Sequence, residues 1–589
     1  MLAALPVPFV LLDDARDAGA PARLYHAPRR ILVAYSPDEV RGVLDDVRAA
    51  TRDGLHAAGF LAYEAGEAFE PHVGTLAPPP TPLAWFGLFD GFETIEDVPA
   101  HLPDPAGAWI GALSPEITRD TYDEQLAEVA ALIAAGDVYQ ANLTFRARVP
   151  FLGDPLALYA RLRTASRAGW GAVVNTGTQT LLSLSPELFF ALDSGHLTCR
   201  PMKGTAARDA NPGADRVAAA ALAADAKQRA ENLMIVDLMR NDLSRVASPG
   251  SVAVPALFAI EQYPTVHQMT STVTAALGDG KDAVDVLAAL FPCGSITGAP
   301  KVRAMQAIAT IEGSPRGAYC GAIGKVDANG DAQFNVAIRT LTIHPAEDHA
   351  TIGLGSGIVA DSEAQGEWEE AHDKGAFLHA GARAFDLIET MRFDPEDGTA
   401  LLELHLARMG ASAQMFGYAF DRHAARNELQ AATFRLRDRR RVRLLLSASG
   451  ALAVEVAPVP SPPAGPVAVA IVPLPVATSD FRLRHKTSDR GFYDTARGDA
   501  FEVVFEAPDG TLTEGSFTSL FVARGGVLVT PPAGALLPGV LRAELLASGR
   551  AIEGVVTRAD LRAGFFIGNA LRGLIPAIVS DGARSTGSL

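Results

Sequence analysis

Residues 353–374 read GLGSGIVADSEAQGEWEEAHDK and pass from a strand-like pattern to a helix-like pattern. Glycine alternates with other small or apolar residues in the first part, whereas charged and apolar residues follow helical spacing in the second. The same succession recurs along residues 111–378, where KQRAENLMIVDLMRNDLSRV at 227–246 is another helix of this kind. Alternating strands and amphipathic helices over this length predict a large α+β or α/β domain.

The composition predicts a soluble chain with more than one domain. Its 589 residues exceed what one core usually organises, 48% of them are hydrophobic and 20% are charged. A formal net charge of −17 argues against a nucleic-acid partner, because phosphate binding needs a basic face. The densest basic run, RLRDRRRVRLLL at 435–446, is interpreted as the solvated end of a helix and the entrance to a strand.

The absence of targeting signals predicts a cytoplasmic protein. No uninterrupted apolar stretch reaches the roughly 20 residues of a membrane span, and the apolar run near the N-terminus has no basic region before it. Cys199, Cys293 and Cys320 have spacings that fit neither a zinc site nor a disulfide framework. Such cysteine usage indicates a reducing compartment.

A change in the sequence pattern near residue 378 predicts a domain boundary. Beyond it, hairpin signals such as APDGTLTEGSF and RGGVLVTPP replace the earlier alternation of strands and helices. We predict an N-terminal part at 1–110, a catalytic domain at 111–378, a linker at 379–384 and a second domain at 385–589. Near the start of the catalytic domain, Ser114 is predicted to cap a helix that ends at Gly136 and Asp137.

A carboxylate and an amine form the first candidate site. SLSPELFF carries Glu187, RPMKGTAAR carries Lys203, and both segments are predicted to be strand ends that enter turns. A glutamic acid can donate a proton, and a lysine can act as a nucleophile if its surroundings favour the neutral amine. The spacing alone does not show that they meet, and a solvated surface lysine is the alternative.

Three further carboxylates are candidates for a metal site. Glu367 and Glu370 stand three residues apart and share a helix face, while Glu231 lies in another helix. Converging carboxylates repel unless a hard divalent ion such as Mg²⁺ lies between them. The alternative is that they are solvent-facing charges paired with lysines four residues away.

The glycines of GLGSGIVAD have two interpretations as well. Without side chains, Gly353, Gly355 and Gly357 could let backbone N–H groups reach a ligand carboxylate. A bulge in the strand explains the pattern equally well.

Taken in order, several segments resemble the chorismate-utilising enzymes, in the branch of the aminodeoxychorismate synthases. They cover most of residues 110–378 and comprise SPELFF, RPMKGTAAR, AENLMIVDLMRNDLSRV, YPTVHQMTSTV, FPCGSITGAPKVRAM, EGSPRGAYCGAIG, FNVAIRT and GSGIVADSEAQGEWEEAHDK. The resemblance implies an α+β, anthranilate-synthase-like domain that binds chorismate, built as a large β-sandwich with helices outside. It also implies Mg²⁺ on the residues matching Glu231, Glu367 and Glu370.

The resemblance assigns roles to the first pair of residues. Lys203 matches the lysine of the family's PIKGT motif, here PMKGT, at a position that is typically alanine in anthranilate synthases. It would attack C2 of chorismate while Glu187 protonates the departing C4 hydroxyl, and ammonia would then add at C4 and displace the lysine. The matching substrate-pocket positions are Gly204, Thr205, His267, Ser295, Tyr319, Arg339, Gly355, Ser356 and Gly357. For His267, a buried structural histidine is the alternative.

The source of ammonia implies a partner. Enzymes of this family generally receive ammonia from a separate glutaminase subunit, and no cysteine here lies in a nucleophile elbow. We therefore expect a glutamine amidotransferase subunit as a partner.

A second lysine defines the second candidate site. Lys486 lies in FRLRHKTSDRGFYD, where neighbouring cations favour the neutral amine. Glu514 follows a hairpin turn, and LLPGVLRAELL opens a helix whose free N–H groups can bind an anion. A basic surface turn is the alternative for the lysine.

This second set resembles the fold-type IV pyridoxal-phosphate enzymes over about 385–577 and implies an aminotransferase-like α/β domain. By resemblance, Lys486 holds pyridoxal 5′-phosphate covalently and later moves a proton, and Glu514 pairs with the pyridine nitrogen. The positions matching phosphate contacts are Arg408, the backbone of Val540 and Leu541, and Asn569. The family's usual opening strand pair is missing, and Ser519 stands where asparagine is usual. A homodimer through this domain is a further implication.

Fusion favours a lyase for the second domain. A domain that makes 4-amino-4-deoxychorismate is best tethered to one that consumes it, releasing pyruvate and 4-aminobenzoate, a folate precursor. The enzyme alternative is an anthranilate-type chorismate enzyme fused to a branched-chain or D-amino-acid transaminase. The non-enzyme alternative is an inactive scaffold for the glutaminase.

Overall fold

The computed structural model describes residues 2, 5–73, 79, 81–263 and 266–580. Pro264 and Thr265 of the YPTVHQMTSTV segment lie outside the described residues. The chain forms two compact units. The first comprises Met1–Pro105, Ala112–Phe151 and Pro155–Gly381, and the second comprises Ala106–Gly111, Leu152–Asp154 and Ala382–Leu589.

Strands dominate the chain up to residue 381. They are β1 (Phe9–Asp13), β2 (Ala22–His26), β3 (Arg30–Ala34), β4 (His56–Leu61), β5 (Ala84–Phe89), β6 (Glu93–Ile95), β7 (Ala108–Ile110), β8 (Ser114–Pro115), β9 (Gln140–Gly153), β10 (Trp170–Asn175), β11 (Thr180–Ser185), β12 (Leu188–Asp193), β13 (His196–Arg200), β14 (Met202–Ala207), β15 (Ala253–Gln262), β16 (Val266–Ala276), β17 (Gly298–Ala299), β18 (Ala322–Val326), β19 (Ala332–Val336), β20 (Thr340–Ile343) and β21 (His349–Ile358). The helices of the same part are α1 (Pro37–Arg52), α2 (Val98–His101), α3 (Arg119–Ala134), α4 (Pro155–Ser166), α5 (Pro212–Ala224), α6 (Ala226–Ser244), α7 (Ala283–Leu290), α8 (Lys301–Ile311) and α9 (Ala364–Asp373).

Two antiparallel sheets form the first unit. One has the order β17-β9-β21-β20-β11-β10-β1-β2-β6, and the other has the order β14-β16-β13-β12-β19-β18-β4-β5-β3 with β15 on β16. Buried side chains from both sheets, such as Val10, Val174, Phe60 and Trp85, share one apolar cluster. Because sheets pack through their apolar faces, this cluster marks the interior of a β-sandwich.

Helices cover the outer faces of the sandwich. Apolar residues of α1, α6 and α7 pack on the second sheet, in a cluster that includes Val40, Ile235 and Leu287. Helices α4 and α9 contact β11 and β21 of the first sheet. The predicted sandwich with external helices is confirmed.

One predicted helix cap is wrong. The helix predicted to start after Ser114 is α3, and its N-cap is Thr118, whose hydroxyl accepts a hydrogen bond from the Thr121 amide at 3.1 Å. Ser114 lies instead in β8. Both residues are good cap formers, and pairing of Ser114 with β9 removes it from competition.

The second unit has its own strands and helices. Those after residue 381 are β22 (Leu387–Asp394), β23 (Gly398–Thr399), α10 (Leu402–Phe416), α11 (Arg422–Thr433), β24 (Arg440–Leu446), β25 (Leu452–Pro458), β26 (Val467–Pro473), α12 (Gly491–Arg497), β27 (Val503–Glu506), β28 (Leu512–Gly515), β29 (Ser519–Arg524), β30 (Val527–Thr530), α13 (Val540–Ala547), β31 (Ala551–Glu553), β32 (Phe565–Asn569) and β33 (Gly573–Val579). Along the described chain, no helix combines the length and the apolarity that crossing a membrane requires.

The second unit combines a small sheet with a closed one. The small antiparallel sheet has the order β23-β22-β24-β25. The larger, mixed sheet has the order β28-β27-β26-β33-β32-β29-β30-β31, and a further pairing of β28 with β29 closes it into a barrel-like ring. Closure leaves few free edges and holds Glu514 and Ser519, which pair across β28 and β29, at a defined place.

Candidate active sites

Glu187 is a buried acid between strands β11 and β12. Only 3% of the residue is exposed, and its Oε1 atom has no hydrogen-bond partner among the described residues. Burial raises its pKa to about 7, although a hydrogen bond from Ser295 and the charge of Lys203 act in the opposite direction. A carboxyl group with this pKa can be protonated near neutral pH and can donate that proton.

Lys203 lies beside this acid on strand β14. The side chain is partly buried, and it forms no ion pair with a carboxylate of the described chain. Burial lowers its pKa, the charge of Lys374 lowers it further, and Glu231, Glu187 and Glu370 oppose the change. The predicted solvated alternative is therefore wrong, and so is the turn, because Lys203 is part of a strand.

Glycines make room for this lysine. A Cβ atom on Gly357 would lie 3.0 Å from Lys203 Nζ and 2.3 Å from Gln140 Nε2. A Cβ atom on Gly353 would lie 2.0 Å from the Tyr319 ring, and one on Gly355 would lie 2.3 Å from the Leu143 carbonyl oxygen. Strand β21 pairs with β9 without a shift of register, so the alternative of a bulge is wrong.

The three carboxylates predicted for a metal lie on the predicted helices. Glu231 is on α6, and Glu367 and Glu370 are on α9. Burial raises the pKa of Glu231, and the charges of Glu370 and Glu367 raise it further, so the three share one electrostatic neighbourhood. Within the described ranges, however, no three acidic, histidine or cysteine side chains already converge closely enough to hold an ion.

Two of these carboxylates have protein partners. Glu370 forms an ion pair with Lys374 at 2.7 Å, as the alternative of lysine pairing predicts. Glu367 Oε1 accepts a hydrogen bond from Ser362 at 2.6 Å, while its Oε2 is buried without a partner in the described chain. The donor set is one that Mg²⁺ accepts, and the unpartnered Oε2 atom is available to it.

The predicted substrate residues have different surroundings. Ser295, in a short turn at Gly294–Ile296, is buried and lies 3.2 Å from Cys293 Sγ. Thr205 is exposed and donates to Gln268 at 3.0 Å. Gly204 has φ +96°, which favours glycine, and Ser356 is buried on β21.

His267 and Arg339 are the charged members of that set. His267 is fully buried, and its Nε2 atom lies 2.8 Å from Asp215 Oδ1. The sequence did not indicate Asp215 as its partner. Arg339 has φ +50°, stacks 6.0 Å from the Phe377 ring and forms no ion pair with a described carboxylate. A positive φ is costly for a residue with a side chain, so the surrounding structure must hold Arg339 in this conformation.

A separate cavity of the first unit contains none of the predicted residues. It has a volume of about 430 Å³ and is lined by Asp14, Arg16, Trp170, Lys325 and Asp327 among others. Sequence reasoning missed it because its walls come from four distant stretches of chain.

In the second unit, Lys486 lines a cavity of about 250 Å³. Arg408, Glu514, Val540 and Asn569 line the same cavity, whereas Leu541 does not. Burial lowers the pKa of Lys486 to about 7, Arg490 and Arg408 lower it further, and Glu389 and Glu514 oppose them. The alternative of a basic surface turn is wrong for this residue.

Glu514 is held at one wall of this cavity. Its Oε1 atom accepts hydrogen bonds from the Tyr493 hydroxyl at 2.7 Å and from the Leu537 amide at 3.1 Å. Burial raises its pKa to about 7. Tyr493 was not predicted, and only its place in the motif RGFYD could have suggested it.

Arg408 is part of a buried cluster that the sequence did not reveal. Its Nε and Nη2 atoms donate to both oxygens of Glu389 at 2.8 and 2.7 Å, and Nη1 donates to the Pro538 carbonyl at 3.1 Å. His405 lies 2.5 Å from Glu389 Oε2. Since a guanidinium has five N–H donors, two remain for another ligand.

Helix α13 presents its N-terminus to the cavity through Gly539 and Val540. A Cβ atom on Gly539 would lie 2.5 Å from Ser519 Oγ, so a larger residue here would require the Ser519 side chain to move. Asn569 Nδ2 donates to the Phe517 carbonyl, and Asn569 Oδ1 accepts hydrogen bonds from the Leu571 and Arg572 amides. Its side chain therefore orders a turn, and the side chain of Leu541 packs in an apolar cluster.

The basic run at 435–446 follows the end of α11 and enters strand β24. Arg441 and Arg443 lie on strand β24 and line cavities beside Lys486. The predicted entrance to a strand is therefore confirmed, and the lining of the two cavities is a further role that the sequence did not indicate.

Comparison with known proteins supports two families along the chain. A family model described as chorismate binding enzyme matches residues 8–380, and one described as amino-transferase class IV matches residues 386–578. The aminodeoxychorismate synthase component 1 of Salmonella typhimurium is 41% identical over 340 residues, which are 54% of this chain and 74% of that protein. The Klebsiella aerogenes protein of the same name is 46% identical over 258 residues, which are 44% of this chain and 57% of that protein.

A solved structure shares the fold of the first unit. The anthranilate synthase component I from Streptococcus pneumoniae TIGR4 aligns with a TM-score of 0.54 and 25% identity, over 65% of this chain and 94% of that chain. The sandwich described above is therefore an anthranilate-synthase-like fold.

Proposed function

The chain belongs to the chorismate-binding enzyme family and carries a class IV aminotransferase domain after it, and from this premise we propose that it makes 4-aminobenzoate in two steps. The first unit converts chorismate and ammonia to 4-amino-4-deoxychorismate. The second unit eliminates pyruvate from that product. Both relatives compared above carry the name of the enzyme for the first step.

One observation carries the first step: Lys203 and Glu187 are neighbours with opposite and complementary pKa shifts. Lys203 Nζ attacks C2 of chorismate, both conjugated ring double bonds shift toward C4, and the C4–O bond breaks. Because hydroxide is a poor leaving group, Glu187 supplies the proton that turns it into water. Ammonia then adds at C4 and gives up a proton, both ring double bonds return to their original positions, and the C2–N bond breaks so that Lys203 leaves as the free amine.

Lysine at position 203 distinguishes this reaction from anthranilate formation. By resemblance, anthranilate synthases typically have alanine there and do not form a bond to the enzyme. A partly buried amine with a lowered pKa has no evident structural partner in the described residues, which supports a role in chemistry.

The carboxylates of α6 and α9 support a Mg²⁺ ion in this step. We propose that Glu231, Glu367 and Glu370 hold it, since the donor set is acidic and Glu367 Oε2 has no protein partner. The ion would bind a substrate carboxylate and orient the ring. Arg339, with no acidic partner in the described chain, suits the second carboxylate.

The residues around Lys486 support pyridoxal 5′-phosphate in the second unit. Lys486 would hold the cofactor, Glu514 would keep its pyridine nitrogen protonated, and the two free N–H groups of Arg408 with the N-terminus of α13 would hold its phosphate. When bound, the cofactor serves as an electron sink for bond cleavage next to the amine. Lys486, with a pKa of about 7, is suited to remove and return a proton there.

The proposal also covers the source of ammonia and the partners of the chain. The three cysteines are buried, and burial raises the pKa of Cys293 and Cys320 to about 12 and that of Cys199 well above its ordinary value. None of them is a reactive thiolate, so we propose that a separate glutamine amidotransferase supplies the ammonia. A homodimer through the second unit and a cytoplasmic location belong to the same proposal.

The test is to supply the purified chain with chorismate, an ammonium salt, Mg²⁺ and pyridoxal phosphate and to identify the products. We expect 4-aminobenzoate and pyruvate in equal amounts. Formation of 2-aminobenzoate would show an anthranilate-type enzyme, and no turnover would favour an inactive scaffold. Supplying 4-amino-4-deoxychorismate directly separates the second step from the first.

A further inference from the structure

A second cavity adjoins the cofactor cavity at Lys486. Its volume is about 390 Å³, and its walls include Thr390, Arg441, Arg443, Lys486, Arg490 and Arg497, so we name it the arginine cavity. Thr390, Arg441, Lys486 and Arg490 line both cavities, whereas Arg408, Val540 and Asn569 line only the first. The arginine cavity therefore extends from Lys486 away from the proposed phosphate site.

The charges of this cavity are not balanced. Arg497 is paired with Asp494 at 2.8 Å, and Arg443 has only a distant partner, Glu455, at 3.8 Å. Arg441 and Arg490 form no ion pair with any carboxylate of the described chain. Because unpaired cations in a cavity are costly, their presence indicates an anionic ligand.

The fold holds these two arginines in place. Arg490 donates from Nη2 to the Ser516 carbonyl at 3.0 Å and stacks 4.5 Å from the Tyr493 ring, while its Nη1 is buried without a partner in the described chain. Arg441 alternates on β24 with Val442 and Leu444, which are fully buried in the core. Its side chain is therefore directed to the opposite face of the strand, toward the cavity.

The cofactor alone does not account for this charge. The N-terminus of α13 and Arg408 would hold the phosphate, and an ordinary amino-acid substrate brings one carboxylate. The product of the proposed first step carries two, one on the ring and one on the enolpyruvyl group. Two unpaired arginines on the side of Lys486 away from the phosphate match the more highly charged substrate.

We propose that Arg441 and Arg490 are specificity-determining residues of the second site, which bind the carboxylates of a dicarboxylate substrate. This inference rests on the proposed function of that site. The cofactor residues are common to lyases and amino-acid transaminases and do not distinguish them. Binding of a second substrate carboxylate by these arginines would distinguish them.

The test compares two aromatic probes that differ by one carboxylate, 3-(carboxymethoxy)benzoate and 3-methoxybenzoate. Their binding to the full chain with pyridoxal phosphate is measured by calorimetry. We expect the dicarboxylate to bind at least about tenfold more tightly, which corresponds to one charge-assisted contact. Arg441→Gln and Arg490→Gln should each abolish most of that preference, and Arg490→Lys should restore part of it.

Arg392→Gln is the matched control. Arg392 faces Arg441 across β22 and β24 in the sheet register but is exposed and outside both cavities. Arg392→Gln should leave the preference for the dicarboxylate probe and the visible absorbance of the bound cofactor unchanged.

A kinetic measurement complements the binding test. In turnover of 4-amino-4-deoxychorismate, Arg441→Gln and Arg490→Gln should raise KM about tenfold or more, with a smaller change in kcat.

Two results would overturn the assignment. One is equal binding of both probes to the unmodified chain, and the other is an unchanged preference in both glutamine variants. A chain that prefers the dicarboxylate but releases no pyruvate would instead reject the lyase reaction and retain the arginines as a dicarboxylate site.

Discussion

Lys203 and Lys486 are the same side chain placed in two different electrostatic surroundings. Burial lowers the pKa of both, which favours the neutral amine in each place. Lys203 is surrounded mainly by carboxylates, which suit acid catalysis and a metal ion. Lys486 is surrounded mainly by arginines, which suit a phosphorylated cofactor and an anionic substrate. Under the proposed function, desolvation favours the nucleophilic form of both amines, and the neighbouring charges select the chemistry of each.

The strongest test of this comparison truncates each lysine to alanine and so removes its amine. Lys203→Ala should lower 4-amino-4-deoxychorismate formation by about 10⁴-fold, and Lys486→Ala should lower pyruvate release to a similar extent, since each removes a nucleophile. Each variant should retain the other step, assayed with its own substrate. Loss of both activities in either variant would contradict two independent sites.

The acid beside Lys203 has the next largest expected effect. Glu187→Gln keeps the shape of the side chain but cannot donate a proton, so the first step should slow by about 10²- to 10⁴-fold. Pyruvate release from supplied 4-amino-4-deoxychorismate should be unaffected. A first step that proceeds at the unmodified rate would remove Glu187 from the chemistry and leave Lys203 without an acid.

A third test changes the stability of the second unit alone, through Trp109. Trp109 belongs to the second unit, where its ring packs edge-on against Phe416 at 5.0 Å between centroids and contacts the core of the small sheet. Trp109→Ala should destabilise that unit by about 3 kcal/mol, the scale of a large-to-small core change. Thermal unfolding, followed together with cofactor absorbance, should show an early loss of the second unit alone. Trp109→Phe, which keeps an aromatic ring, should lose much less.

The smallest expected difference is in pH dependence. Glu187, with a pKa raised to about 7, loses its proton above that pH, so the first step should fall about tenfold per pH unit on the alkaline side. Lys486, with a pKa lowered to about 7, gains its reactive neutral form as pH rises through that value, so cofactor capture should accelerate in the same range. Initial rates of each process measure this. The Glu187→Gln variant is the control, because it shares the ammonia supply and should lack the alkaline decline.

Helix periodicity and motif order were sufficient to predict several features. The runs that became α6 and α9 carry Glu231, Glu367 and Glu370 where predicted, since a 3.6-residue period is a local property. The cap of α3 was wrong because Ser114 and Thr118 are equally suitable locally, and a strand partner decided between them. The basic run at 435–446 enters a strand as predicted, but nothing local shows that Arg441 and Arg443 line cavities, because those cavities are formed by residues distant in sequence.

Several partners had no signal in the sequence. The fold brings together three pairs that are distant in sequence: Glu389 with Arg408, 19 residues apart, Asp215 with His267, 52 apart, and Trp109 with Phe416, about 300 apart. No local pattern predicts such pairs, because each member alone looks like an ordinary helix or strand residue.

The sequence by itself determined which reactive groups are present and in what order: two lysines in recognisable motifs, their glutamates, and two families in succession. Only the tertiary structure decided the state of those groups. A pKa depends on burial and on charges that arrive from remote parts of the chain, so Lys203 became an amine among acids and Lys486 an amine among arginines only once the strands and helices had packed.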